Sequence, residues 1–130
     1  DLLSIDIDYN DYWVWKAITK FHPRVLVIEF NSSIPPNKSR VVPYDADAQW
    51  DGTNYFGASL LALKNLGLEK NYTLLGCDSN GVNAFFCQSD LVKNFKIKDI
   101  ENLYRPPKYG EIINGEHIGH TISAKKMIEI

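Results

Sequence analysis

The chain has 130 residues, 45% hydrophobic and 23% charged, with 14 Lys and Arg against 16 Asp and Glu for a formal net charge of -2. That length fits one hydrophobic core and not two. The lysines are scattered instead of clustered, no apolar run approaches the ~20 residues of a bilayer span, and no basic segment followed by an apolar one opens the chain, so neither a nucleic-acid nor a membrane partner is expected.

Leu2-Leu3-Ser4-Ile5-Asp6-Ile7-Asp8 predicts a first strand over residues 2–8, apolar on both faces and running straight into carboxylates. Such a strand belongs in the middle of an α/β sheet, so the chain is expected to be a piece of a larger fold or to pair this strand with a second copy. Asn10 or Asp11 then caps a helix whose Val14, Ala17, Ile18 and Phe21 recur at i, i+3, i+4 and i+7, ending by Pro23. On that helix Trp13 and Trp15, two apart, cannot both face the sheet. Val25-Leu26-Val27-Ile28 is a second strand, ending at Glu29 and Asn31, and completes a right-handed βαβ unit.

Residues 32–54, rich in Pro, Asn, Asp and Ser, predict a long loop. Helix resumes near Tyr55, with Thr53 or Asn54 as cap, Phe56, Leu60, Leu63 and Leu66 along one side, and Gly67 at its end. Tyr72 to Asp78 and Asn83 to Gln88 predict a hairpin about Ser79-Asn80-Gly81-Val82. Its register sets Cys77 opposite Ala84 and Cys87 opposite Leu74, so the two cysteines are not cross-strand neighbours. Unpaired thiols in apolar strands predict reduced cysteines and a cytoplasmic location. Ser89 caps a short helix through Leu91, Val92 and Phe95, and a further helical stretch from Lys98 to Tyr104 stops at Pro106-Pro107. The division expected is an α/β domain over residues 1–105 and a C-terminal extension, 106–130, without a readable pattern.

Ligands in open α/β sheets collect beyond the carboxyl ends of the strands. Asp6, Asp8 and Glu29 are there the candidate catalytic groups toward a substrate hydroxyl, with Asn10, Asp11 and Asn31 as candidate substrate-binding groups. The same oxygens could hold Mg²⁺ or Ca²⁺, but their spacing matches no full ligand loop and no metal is assigned. Trp50, Asp51 and Tyr55, within a run that also holds Thr53, Asn54 and Phe56, mix aromatic and polar groups as an acceptor pocket or lid does, and equally as core anchors do. His117 and His120 have no third ligand in sequence and are expected on ordinary surface.

The order strand, helix, strand, long loop, helix, hairpin resembles the C-terminal half of class I S-adenosylmethionine-dependent methyltransferases, whose last strand turns back antiparallel into a parallel sheet. Ser4-Ile5-Asp6-Ile7-Asp8-Tyr9-Asn10-Asp11 resembles the fourth-strand segment of the FkbM-type family, where Asp-x-Glu-Gly is followed two residues later by Glu. Asp6, Asp8 and Asp11 fall on the acidic positions, Val27-Ile28-Glu29 on the fifth strand, and Gly76 to Phe86 on the terminal hairpin, so residues 1–90 are covered. The resemblance implies an α/β fold, a partial Rossmann-like methyltransferase sheet of parallel strands plus a terminal antiparallel β-hairpin with flanking helices. It implies S-adenosylmethionine as cofactor and a small-molecule or glycan methyl acceptor. Tyr9 stands where the family has glycine, and neither the glycine-rich first strand and turn nor the second-strand acid that holds the cofactor ribose is present. The expectation is an acceptor-side half, inactive alone, whose partner is a missing N-terminal half or a second copy. The alternative is a non-enzymatic α/β assembly module dimerising through its first strand.

Overall fold

A computed structural model describes residues 1–130 as a small mixed α/β fold. In chain order the elements are β1 (Leu2–Ile5), α1 (Asp11–Ala17), β2 (Val25–Glu29), β3 (Arg40–Val41), α2 (Leu60–Glu69), β4 (Tyr72–Cys77), β5 (Asn83–Gln88), α3 (Ile100–Leu103), β6 (Glu111–Ile113), β7 (Glu116–Gly119) and β8 (Ile128–Glu129). β1, β2, β5 and β4 form one sheet in that order. β1 and β2 run parallel, and β5 inserts antiparallel between β2 and β4. No helix is long and apolar enough to cross a membrane.

Alternation puts Ile5, Leu26, Ile28, Ala84, Phe86 and Leu74 on one face of the sheet, all buried. Trp15 of α1 and Gly67 of α2 both meet Phe86 there, so the two helices cover the same face. On the other face Val25, Val27 and Phe85 are only half-buried and Leu2 is 62% exposed.

The first strand stops at Ile5, short of the expected residue 8, because the Ile7 N–H turns to Asp11 Oδ1 (3.0 Å) and Asp8 adopts a left-handed φ of 66°. α1 buries Asp11, Tyr12 and Trp15, whereas Val14 and Phe21, expected inside, are exposed and the helix ends at Ala17. Aromatic bulk decides this face: Trp15 packs edge-on to Tyr72 at 6.0 Å and against Phe86 at 5.0 Å. Trp13 turns to the loop, where its Nε1–H donates to the Val42 carbonyl (2.8 Å).

α2 begins at Leu60 and not near Tyr55, with Ser59 as its N-cap: the Ser59 hydroxyl oxygen accepts from the Ala62 N–H at 3.2 Å. Gly67 does not end α2, which runs on to Glu69. A Cβ at Gly67 would lie 3.0 Å from the Phe86 ring and 3.2 Å from Trp15, so glycine admits close helix–sheet contact. The hairpin forms as expected, with Cys77 opposite Ala84, but an irregularity at Leu75 shifts the register and sets Cys87 opposite Thr73 instead of Leu74. Both cysteines are free, and burial pushes the Cys77 thiol up to about 12. The helix expected after Ser89 is one 3₁₀ turn, Ser89–Leu91, that leaves Phe95 exposed, and the helix over 98–104 narrows to α3.

The long loop contains β3, and residues 106–130 are structured. β6 and β7 form a hairpin about Asn114-Gly115, both at positive φ (52° and 83°), as a primed two-residue turn requires, and β8 pairs antiparallel with β3.

Candidate functional site

β1 and β2 are parallel neighbours, so the residues at their carboxyl ends emerge at one crest. Asp6 and Asp8 lie just beyond β1 and Glu29 closes β2, and one carboxylate oxygen from each lies within 4.8 Å of the other two. Asp6 and Asp8 are exposed, and Glu29 is half-buried. Behind them Asp11 is wholly buried; its Oδ1 accepts from the Ile7 N–H, while its Oδ2, like Glu29 Oε2, has no hydrogen-bond partner.

Two unit charges at this separation repel by about 3 kcal/mol at an effective dielectric of about 20. Four ion pairs form in the molecule, Arg24–Asp1, Arg40–Glu129, Lys93–Asp90 and Lys125–Asp51, and none reaches this cluster. Burial first, then the charges of Asp11, Asp6 and Asp8 in that order, push the Glu29 carboxyl up to about 8. Burial likewise raises Asp11.

The C-terminal segment reaches the crest on the side of Asp8 and Glu29. His120, expected on ordinary surface, is half-buried, its ring 4.6 Å from Trp50, 5.2 Å from Tyr109 and 5.7 Å from Phe56. His117 is exposed, so the two histidines do not act together. Asp8, Glu29, Trp50, Phe56 and His120 line a cavity of about 20 Å³. The Tyr109 and Ser32 hydroxyls are 3.3 Å apart, and the Tyr104 hydroxyl donates to the Ser32 carbonyl at 2.6 Å. The sequence carried one signal for this arrangement: Asn114-Gly115, the same dipeptide that marks the Asn80-Gly81 hairpin, predicts the turn that delivers His120.

Of the remaining candidates only Trp50 reaches the carboxylates, through the cavity that it lines with Asp8 and Glu29. Asn31 is wholly buried with its amide engaged: Nδ2 donates to the carbonyls of Asn54 (2.8 Å) and Phe56 (3.0 Å), and Oδ1 accepts from the Ser33 N–H (3.1 Å). Asn10 Nδ2 donates to the Asp45 carbonyl at 2.7 Å, pinning the long loop. Trp50 Nε1–H donates to the Thr53 carbonyl at 2.8 Å. Asp51 pairs with Lys125 at 2.7 Å and, through that ammonium and the Thr53 hydroxyl, is held down to about 2. Tyr55, beside Lys125, helps to line a larger polar cleft of about 550 Å³ between the long loop and the C-terminal segment. The crest is thus Asp6, Asp8, Asp11 and Glu29, roofed by Trp50, Phe56, Tyr109 and His120.

No known protein family, curated protein or solved structure matches the chain.

Proposed function

We propose that the chain is the acceptor-side half of an FkbM-like S-adenosylmethionine-dependent methyltransferase. One observation carries the reading: β5, the last strand of the sheet, turns back antiparallel and inserts beside β2, the arrangement that the resemblance requires of this half. The carboxylates at the ends of β1 and β2 then stand where an acceptor would be held.

S-adenosylmethionine would supply an electrophilic methyl on a sulfonium that leaves readily. These residues offer no glycine-rich turn after a strand to receive the rest of the cofactor, so the chain supplies one wall of its site only. The acceptor is a small molecule or glycan bearing a hydroxyl. Glu29, near neutrality in its proton affinity, accepts the hydroxyl proton, Asp6 and Asp8 orient the group, and Trp50, Phe56 and His120 exclude water from it.

The test is an amide chemical-shift titration of the ¹⁵N-labelled chain with S-adenosylhomocysteine. Weak shifts confined to residues 6–10 and 29–31 are expected. Shifts that cluster away from the ends of β1 and β2, or that scatter over the surface, would remove the methyl-transfer reading.

A second reading, a module that assembles through β1, is favoured by the position of β1 at the sheet edge with Leu2 62% exposed. Sedimentation of wild type and Leu2→Lys decides it: a dimer that dissociates in the variant supports assembly, and a monomeric wild type refutes it.

A further inference from the structure

We propose that the face formed by α2, β4 and residues 93–99 is a docking surface for an anionic lipid membrane, entered by Leu68, Leu75, Phe95 and Ile97 and held by the lysines beside them. The inference is independent of the methyl-transfer reading.

The fold holds one segment of this face outside. Val92 and Ile100 are buried and pin its two ends, while all seven residues between them, Lys93 to Asp99, are exposed. Phe95 is 65% exposed and Ile97 40%, in a stretch where apolar and basic side chains alternate, Phe95-Lys96-Ile97-Lys98. β4 stands at the edge of the sheet, and its irregularity leaves Leu75 out of the ladder and exposed; Leu68 of α2 is exposed as well. These four are neighbours. A cleft of about 410 Å³ has Leu75, Phe95 and Ile97 in its walls, a second of about 260 Å³ has Leu68 and Ile97, and the two share Ile97, Lys98 and Leu103. Single exposed apolar side chains are ordinary, whereas a contiguous set rimmed by charge marks an interaction surface.

Charge says what covers it. Lys64, Lys96, Lys98 and Arg105 line the two clefts, and Asp99 is the one acid that does. None of these four cations forms an ion pair. Lys64, far from the others in the chain, is brought to them by α2. Four cations against one carboxylate, on a chain of formal net charge -2, are complementary to an anionic counterpart. An acidic protein and a lipid surface both carry that charge, and composition separates them. Protein interfaces are enriched in aromatic residues, Met and Arg and depleted in Lys. This face has three Lys to one Arg, and Phe95 is its one aromatic. Lysine suits headgroups, because its stem lies along the apolar surface that enters the membrane while its ammonium stays at the level of the phosphates.

The experiment is sedimentation of the chain with sucrose-loaded phosphatidylcholine vesicles, with and without about 30% phosphatidylserine, at low salt. Binding at least tenfold tighter to the phosphatidylserine vesicles is expected, and it should be lost at about 0.5 M NaCl, where the Debye length falls to about 4 Å. Lys96→Glu combined with Lys98→Glu should weaken it at least tenfold, since each lysine near such a surface contributes about fivefold. Phe95→Glu should weaken it as much. Lys126→Glu, the same kind of charge change in the separate cleft beside Tyr55, should leave binding within about threefold of wild type, the effect of net charge alone. All the substituted side chains are exposed, and circular dichroism shows that each variant is folded. Binding to neither kind of vesicle, or equally to both, would overturn the proposal, as would wild-type binding by both the Phe95 and the lysine variants. A concentration-dependent dimer that Phe95→Glu dissociates would assign the face to a second copy, and binding of soluble polyglutamate without binding of vesicles would assign it to an acidic protein; either result overturns the membrane.

Discussion

At the scale of single residues, Glu29 makes stability depend on pH. In the fold its carboxyl is pushed up to about 8 by burial and by Asp11, Asp6 and Asp8, whereas in the unfolded chain it titrates near 4.5. Because the folded state holds the proton more tightly, the stabilisation is fully present below about pH 4.5 and is lost as pH rises through about 8. Asp11, also raised, acts in the same sense; Tyr109 and His120 face the group from the other side. With divalent ions chelated, the melting temperature should therefore fall between pH 5 and 8. Glu29→Gln, which keeps the shape and cannot ionise, should flatten the profile and exceed wild type at pH 8 by about 2 kcal/mol, after allowance for partial solvent contact. Identical pH profiles for the two proteins would mean that Glu29 is solvated and ordinary. Asn31 makes a different point, since its amide bonds carry the segment from Asn54 to Phe56 under the roof. Asn31→Asp has the same outline but sets a carboxylate against two carbonyl oxygens, and urea unfolding should register a loss of about 3 kcal/mol.

At the scale of elements, Ser59 joins two of them with one hydroxyl. Its oxygen accepts from the Ala62 N–H at the start of α2 and from the Arg40 N–H of β3 at 3.0 Å. Ser59→Ala should cost about 2 kcal/mol in denaturant unfolding, roughly half from the lost cap and half from the unpaired Arg40 N–H; a loss below about 0.5 kcal/mol would show that water replaces the hydroxyl. The same region shows why sequence reading placed this helix too early. Thr53 and Asn54 are good caps in isolation, but the Thr53 hydroxyl oxygen accepts from the Tyr55 N–H and Asn54 Oδ1 accepts from the Ser123 N–H at 2.9 Å. The second contact spans 69 residues and leaves no local trace. The face of α1 was misread for a related reason: periodicity favoured Val14, whereas Trp15 is drawn in by Tyr72 and Phe86, aromatics that arrive from other strands. The β4–β5 turn was legible because Asn80-Gly81 is local chemistry, but the bulge at Leu75 was not. The positions of Asp6, Asp8 and Glu29 were legible because they stand at or just beyond the end of an apolar strand. His120 was not, since the rings around it come from Trp50, Phe56 and Tyr109, far apart in the chain.

At the scale of the whole molecule, the C-terminal segment is attached to the core rather than part of it. The cluster of fully packed apolar residues runs from Ile5 to Leu103 and takes nothing from residues beyond Tyr104. The segment is held by peripheral bonds: Ser33 Oγ donates to the Ile118 carbonyl (3.3 Å), the Asn54 N–H to the Thr121 carbonyl (2.9 Å) and the Ile130 N–H to the Ser39 carbonyl (3.1 Å). Gly110 controls whether it docks. At φ 75° a Cβ there would lie 1.9 Å from the Gly119 carbonyl oxygen, a clash with backbone that no side-chain adjustment relieves. Gly110→Ala should therefore open the β6–β7 hairpin and release the neighbouring His120 from Trp50, Phe56 and Tyr109. Hydrogen exchange distinguishes this from global unfolding: protection should fall at Asn54 and over residues 111–121 while the amides of β2 and β5 keep wild-type rates. Loss of protection in β2 and β5 as well would make the segment integral to one cooperative unit. Released separately, the roof can open and close over the carboxylates at a free-energy cost below that of unfolding. That is the condition under which the cavity that His120 lines with Asp8 and Glu29 can open without unfolding the sheet beneath it.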